Sequence, residues 1–241
     1  MNEDVYYMPE RVNIANSIAY MKYVSQFDYI FSKAFFTHQE LIALSGNYKV
    51  VIDYFNHTYT ISEKVGCSVS CQLIIVLNRW DKILYQYKNV FGNPFHYYFC
   101  HSNSSEYLMC GADLLQFTIF NITKNKAHTF ADKCIIDKQE CISEFWYISG
   151  MQYNRSNNLL FINGQDMMNC PTVTIADLTN PEIVPLHTKN LGSFLAKLDN
   201  DYAFCKAVNW NSNNSLTLEV GEENTQVVTL TENQLFGILE E

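Results

Sequence analysis

The chain predicts an all-β, mainly antiparallel fold with one or two short helices, on three observations. Aromatic residues make up 15% of the 241 positions, and many of the 16 Tyr and 16 Phe fall in alternating stretches. Alternation rich in aromatic and β-branched residues is the signature of a half-buried strand. A unit of strand, break and strand also recurs, most clearly in EYLMCGADLLQFTIFNITKNK (106–126) and NLLFINGQDMMNCPTVTIADLTNPE (158–182). Gly111 and Gly164 occupy matching places as breaks, Asp113 and Asp166 follow two residues later, and TIFNIT answers VTIADLT. Finally, five prolines and 17% charged residues leave little room for long unstructured tracts, so residues 1–241 read as a single β-rich domain.

Within it, residues 1–36 form an N-terminal segment. Ile14, Ile18, Met21 and Val24 are spaced as on one helix face, which predicts a short amphipathic helix within Arg11–Phe27. Residues 37–230 carry the repeated β units. At their start two readings compete: Thr37 and Glu40 match a capping box ahead of Leu41–Leu44, yet LIALSG followed by VVIDYFNHTYTI fits the strand unit. The strand reading is preferred because the second run is unmistakably β-rich. QLIIVLNRWDKILYQY (72–87) reads as a hairpin turning at Asn78–Lys82, and FHYYFCH (95–101) as a strand. Pro181 suits the turn after TVTIADL, because its fixed φ is a turn conformation. SLTLEV, a GEEN turn and QVVTLT make a last hairpin, and Thr231 with Gln234 is placed to cap a short helix in 231–241.

Anchored at Leu41, Tyr107, Leu159 and Tyr202, the units step by 66, 52 and 43 residues. Blades of β-propellers take about 40–50 residues. In strand pattern and spacing, Leu41–Thr229 therefore resembles β-propeller repeat proteins, although neither a WD dipeptide nor a kelch signature is present. The resemblance implies four or five small sheets around an axis, with loops at one end forming a binding surface. A β-sandwich or an open twisted sheet is the alternative.

Charge narrows the partners. The net charge is −9 and there are only three arginines, so the clustered cations that nucleic acid or an anionic membrane require are missing. From Phe194 onward eight acids face two lysines, an imbalance that attracts a basic protein by long-range steering. CQLIIVL (71–77), the longest apolar run, is too short to span a bilayer. The first residues lack a basic stretch followed by an apolar one, and the expected compartment is the cytoplasm, with reduced cysteines.

No cofactor is expected. Phosphate loops, dinucleotide fingerprints and the usual hydrolase and metalloprotease motifs are absent. Cys67 and Cys71, if extended, stand about 13 Å apart at about 3.3 Å per residue, too far to share a zinc ion. His96 and His101 bracket Cys100 but point to opposite faces of a strand. Asp113, Asp166 and Asp177 recur near strand ends and are candidates for cation or ligand binding, against the simpler reading that they close turns. Trp80 and Asp81 at a hairpin tip, with Glu222 and Glu223 in the acidic tail, are candidates for partner contact.

These features predict a non-enzymatic protein-binding module. In being small, acidic and without catalytic motifs, the chain is similar to bacterial immunity proteins, which implies neutralisation of a basic toxin domain. The alternatives are a propeller-type carbohydrate hydrolase or lyase using the repeated Asp residues, or a lectin-like or sensor domain.

Overall fold

A computed structural model describes residues 11–13, 18–44, 47–62, 65–90, 95–113, 116–132, 147–165, 171–183, 187–197, 204–222 and 224–240. A short strand β1 (Arg11–Asn13) precedes a helix at Ile18–Ser25 and a 3-10 turn at Asp28–Ile30. The helical pattern over 11–27 is thus only partly realised. Ile18 and Met21 are exposed at 79% and 57%, so these two members of the apolar stripe are not what holds the helix in place.

Four sheets follow, each built on a meander of strands consecutive in the chain, to which the second adds β1. The first has the order β2-β3-β4-β5: β2 (Phe36–Ala43), β3 (Lys49–Ser62), β4 (Val65–Leu77) and β5 (Ile83–Val90). The second contains β6 (Phe95–Cys100), β7 (Glu106–Asp113), β8 (Gln116–Asn121) and β9 (Lys126–Asp132), with β1 added outside β9. In the third are β10 (Tyr147–Asn154), β11 (Leu159–Gln165), β12 (Pro171–Asp177) and β13 (His187–Asn190). The fourth has three strands, β14 (Cys205–Trp210), β15 (Leu216–Val220) and β16 (Gln226–Leu230). The all-β antiparallel class is as the sequence predicts.

The repeat is real but phased differently from the reading above. Left-handed backbone occurs at Asn47, Ser104, Asn158 and Asn214, at intervals of 57, 54 and 56 residues. Each lies just before the second strand of its sheet. Asn, Asp and Ser tolerate positive φ better than bulkier residues, and such a residue closing a type I turn gives the strands the right twist. Asp81 and Asn125, with φ of 60° and 52°, play the same part in the hairpins β4–β5 and β8–β9. Gly111 and Gly164 do not break strands. They lie inside β7 and β11, opposite Phe117 and Thr172.

Two compact units divide the chain, the N-terminal one built on the first and second sheets, the C-terminal one on the third and fourth together with residues 100–104. In the N-terminal unit, alternate residues of β3 and β4 (Val50, Ile52, Ile74, Val76) meet Leu108, Cys110 and Phe120 of the second sheet. Phe55, Val69 and Cys71, further along β3 and β4, are covered by Ile30, Phe27, Phe31 and Phe35.

The C-terminal unit joins Leu159, Phe161, Val173 and Ile175 to Leu216, Leu218 and Val220. Two helices complete that core. Asn190 caps Leu191–Leu195 by accepting from the Ser193 N–H at 3.0 Å, and Leu191 and Leu195 are buried. The helix Glu232–Glu240 starts as the sequence predicts: the Thr231 N–H donates to Gln234 Oε1 at 2.9 Å and the Gln234 N–H returns to Thr231 Oγ1 at 3.4 Å. Its buried side chains, Leu235, Ile238 and Leu239, follow the i, i+3, i+4 spacing, and burying each contributes about 1.5–3 kcal/mol.

Candidate functional site

Trp80 sits where the sequence places it, at the tip of the β4–β5 hairpin. The turn is fixed from within. Asn78 Oδ1 accepts from the N–H groups of Trp80 and Lys82, each at 3.0 Å. The backbone closes with Asn78 N–H to Lys82 O and Asp81 N–H to Asn78 O, both 3.0 Å. These bonds hold the tip from within, and the indole is left outside, 70% exposed. The Arg79 guanidinium lies 3.9 Å above its ring centroid, a cation–π contact that restricts the rotamer. Ile83, 53% exposed, adds apolar surface at the root of the same turn.

The charge around Trp80 differs from the acidic surround that the sequence suggests. Lys49 Nζ bonds Asp81 Oδ1 at 2.7 Å, so this carboxylate is already engaged. Arg79 and Lys82 are both exposed beside it. Nearby in the same unit, Glu106 accepts from the hydroxyls of Tyr48 at 2.9 Å and Tyr98 at 2.5 Å. Desolvation, then the bond to Glu106, pushes the Tyr48 phenol above its ordinary pKa. That phenol remains a donor at neutral pH, and the three side chains tie the β2–β3 turn to the start of β7.

Glu222 is exposed in the β15–β16 turn of the C-terminal unit, next to Gly221 at φ 96°. Neither unit by itself therefore assembles Trp80 and Asp81 with Glu222. Glu223 lies outside the described residues, as does Asp166. Asp113 ends β7 opposite Gln116. Asp177 Oδ1 accepts from the Thr179 N–H at 2.7 Å, closing the turn after β12. Among the described residues no group of three or more His, Cys, Asp or Glu is placed to hold a metal ion.

Two buried thiols and one buried imidazole serve the fold. Burial raises Cys110 to about 12 and Cys205 to about 11, and a thiol that stays protonated is a poor nucleophile. His101 is buried, with Nε2 2.8 Å from Leu178 O and Nδ1 3.2 Å from the Asn103 N–H. Those partners fix the tautomer: Nε2–H donates to the carbonyl and Nδ1 accepts. The ring thus joins two loops of the C-terminal unit, a role that no spacing in the sequence signals.

A groove of about 490 Å³ also opens in the C-terminal unit, with Met151, Phe161 and Val208 among its apolar lining residues. β-Bulges at Ser149 and Val208 flank it. Its inner polar groups are spent on the fold. Asn163 Nδ2 donates to Ala207 O and Asn163 Oδ1 accepts from the Ala207 N–H, both at 2.8 Å. Gln152 O accepts from Trp210 Nε1 at 3.0 Å. The charged side chains lining it are Lys206 and Glu219, exposed and opposite one another across β14–β15. Such a groove offers shape and modest polarity for binding.

Among the described residues, no helix is long and apolar enough to cross a membrane. Comparison of the chain with protein-family models, with curated proteins and with solved structures returned no match.

Proposed function

We propose that this chain is a non-enzymatic protein-binding module that anchors a basic partner protein through Trp80, as an immunity protein does when it covers a toxin domain. One observation carries the reading: a tryptophan 70% exposed on a turn whose backbone is held internally, with its ring pinned by Arg79. Interfaces concentrate their energy in a few Trp, Tyr and Arg side chains, and an anchor fixed before binding loses little entropy on docking. The net charge of −9 adds attraction for a basic partner at long range. Near the turn itself the free charges are Arg79 and Lys82, so the acids that steer the encounter lie elsewhere, Glu219, Glu222 and Glu240 among them, each exposed.

The test is capture from cells that carry the gene, using the wild-type chain and Trp80→Ala in parallel with mass-spectrometric identification. A small basic protein retained by the wild type and depleted at least tenfold with Trp80→Ala supports the reading. Equal retention by both, or acidic partners only, overturns it.

A further inference from the structure

The fourth sheet ends on an exposed strand, and its hydrogen-bond parity shows what that edge presents. Gly221 N–H donates to Phe204 O at 2.9 Å, and Asn211 N–H to Ser215 O at 2.9 Å, which marks those positions as hydrogen-bonded pairs of β14–β15. Bonded and non-bonded pairs alternate along an antiparallel ladder, so Lys206↔Glu219 is bonded and Ala207↔Leu218 is not. The Ala207 backbone confirms this, since its N–H and C=O go to Asn163 instead. Leu218, Leu216 and Val220 therefore direct their backbone groups to β16, meeting Val228, Leu230 and Gln226. By the same parity, Val227 and Thr229 aim their N–H and C=O groups away from the sheet. Thr231, next in that parity, gives its N–H to Gln234 at 2.9 Å, which ends the open stretch.

Three other edge strands, β2, β10 and β14, carry devices that blunt them. β2 is kinked by a bulge between Phe36 and His38, β10 by one between Ile148 and Gly150, and β14 is capped by the Asn163 amide. Along β16, among the described residues, no bulge, proline, lysine or capping amide is found. Val227 is 71% exposed. Natural sheets avoid such an edge unless it pairs with something.

We infer that β16 takes up an extended, basic segment of a partner protein as a fourth strand of this sheet. Strand addition supplies main-chain hydrogen bonds at Val227 and Thr229 and side-chain contact on alternate positions. Charge selects the occupant. The strand itself, QVVTL, is uncharged, but Glu222 precedes it, Glu219 lies across from Val227, and Glu232 follows it. An antiparallel second copy would bring the acidic ends of the two strands together. Lys or Arg flanking a β-branched core on the partner complements their negative charge. This inference rests on the protein-binding reading above and adds a second contact, on the other unit from Trp80.

A displayed library of random ten-residue peptides tests it, panned against the wild-type chain, Val227→Pro and Trp80→Ala. Proline removes one outward N–H and leaves the β15–β16 bonds intact. The expected result is enrichment of peptides with β-branched residues at alternate positions and Lys or Arg at the ends. Their retention should fall at least tenfold on Val227→Pro and stay unchanged on Trp80→Ala, with the Val227 and Thr229 amides slowed in hydrogen exchange when peptide is bound. Circular dichroism checks the variant, and Thr229→Pro replaces it should the first fold poorly. Absence of enrichment, enrichment of acidic or neutral peptides, or equal retention on Val227→Pro overturns the inference. So does a dimer in light scattering that Val227→Pro dissolves, which makes a second copy the occupant. Failure here leaves the Trp80 depletion result untouched, so the two readings fail separately.

Discussion

Two turns share one backbone design and differ in what they display. Residues 78–82 (NRWDK) and 211–215 (NSNNS) both open on Asn, place a left-handed residue fourth, and close with two backbone bonds of 2.9–3.0 Å. In the second turn the side chains fold back on the protein. Asn211 Nδ2 donates to Ser215 Oγ at 2.8 Å, Asn213 Oδ1 accepts from the same hydroxyl at 2.7 Å, and Asn214 reaches Asn154 and Glu232. In the first, Arg79 and Trp80 stack on each other and face outward. The frame is common to both turns, and only what they display differs. Geometry shared by several turns explains stability; a side chain that only one turn exposes is the place to look for function.

Four experiments break or sharpen that comparison. The largest effect should come from alkali, which acts on the cores beneath both turns. Cys110 and Tyr85 of the N-terminal unit are raised to about 12, and Cys205 of the C-terminal unit to about 11, in each case first by desolvation. The folded chain therefore holds protons that the unfolded chain releases from the ordinary values of 9–10 upward. The stability these groups contribute is fully present below pH 9 and declines as pH rises toward the folded values. The Tm should fall steadily between pH 9 and 11, and Cys110→Ala should flatten the fall; a Tm independent of pH over that range contradicts the burial described.

Next, the frame itself. Asp81→Val and Asn214→Val put a β-branched residue where φ is 60° and 62°, at a cost of about 1–3 kcal/mol each in urea unfolding. Glycine at either position should be tolerated, and equal losses from valine and glycine would mean that side-chain bonds, not backbone strain, set the preference. Third, Asn78→Ala removes the acceptor of two N–H bonds and should cost about 1 kcal/mol. It should also loosen Trp80, seen as lower tryptophan fluorescence anisotropy. The smallest effect belongs to Asp81→Asn, which breaks an exposed ion pair with Lys49 and should change stability by at most about 1 kcal/mol.

Much of this fold is legible in the sequence wherever one local interaction decides the outcome. The hairpin at 78–82, the capping box at 231–234 and the choice of strand over helix at 36–43 each follow from a few adjacent residues. The phase of the repeat does not, because Gly111 and Gly164 draw the eye while Asn47, Ser104, Asn158 and Asn214 carry the period through their φ angles. The pattern at 11–27 does give a helix, over Ile18–Ser25, but its spacing does not fix which face is buried, since Ile18 and Met21 stay exposed. As for the site, Trp80 is legible because a tryptophan inside NRWDK has nowhere to hide. The engagement of Asp81 by Lys49, 32 residues away, is not, and neither is the outward backbone of Val227 and Thr229 on β16, which only the parity of hydrogen bonds reveals.

The meander order of the sheets has a kinetic consequence. Within every sheet each strand lies beside the one made just before it, so pairing needs only short loops to close, and short loops close quickly. β1 is different. Its partner β9 begins 113 positions after Asn13. During synthesis the first sheet can be complete while the ribosome is still adding the third, and β1 must wait until β9 has emerged. A chain lacking residues 1–13 should refold with the early phases unaltered and the slowest one missing.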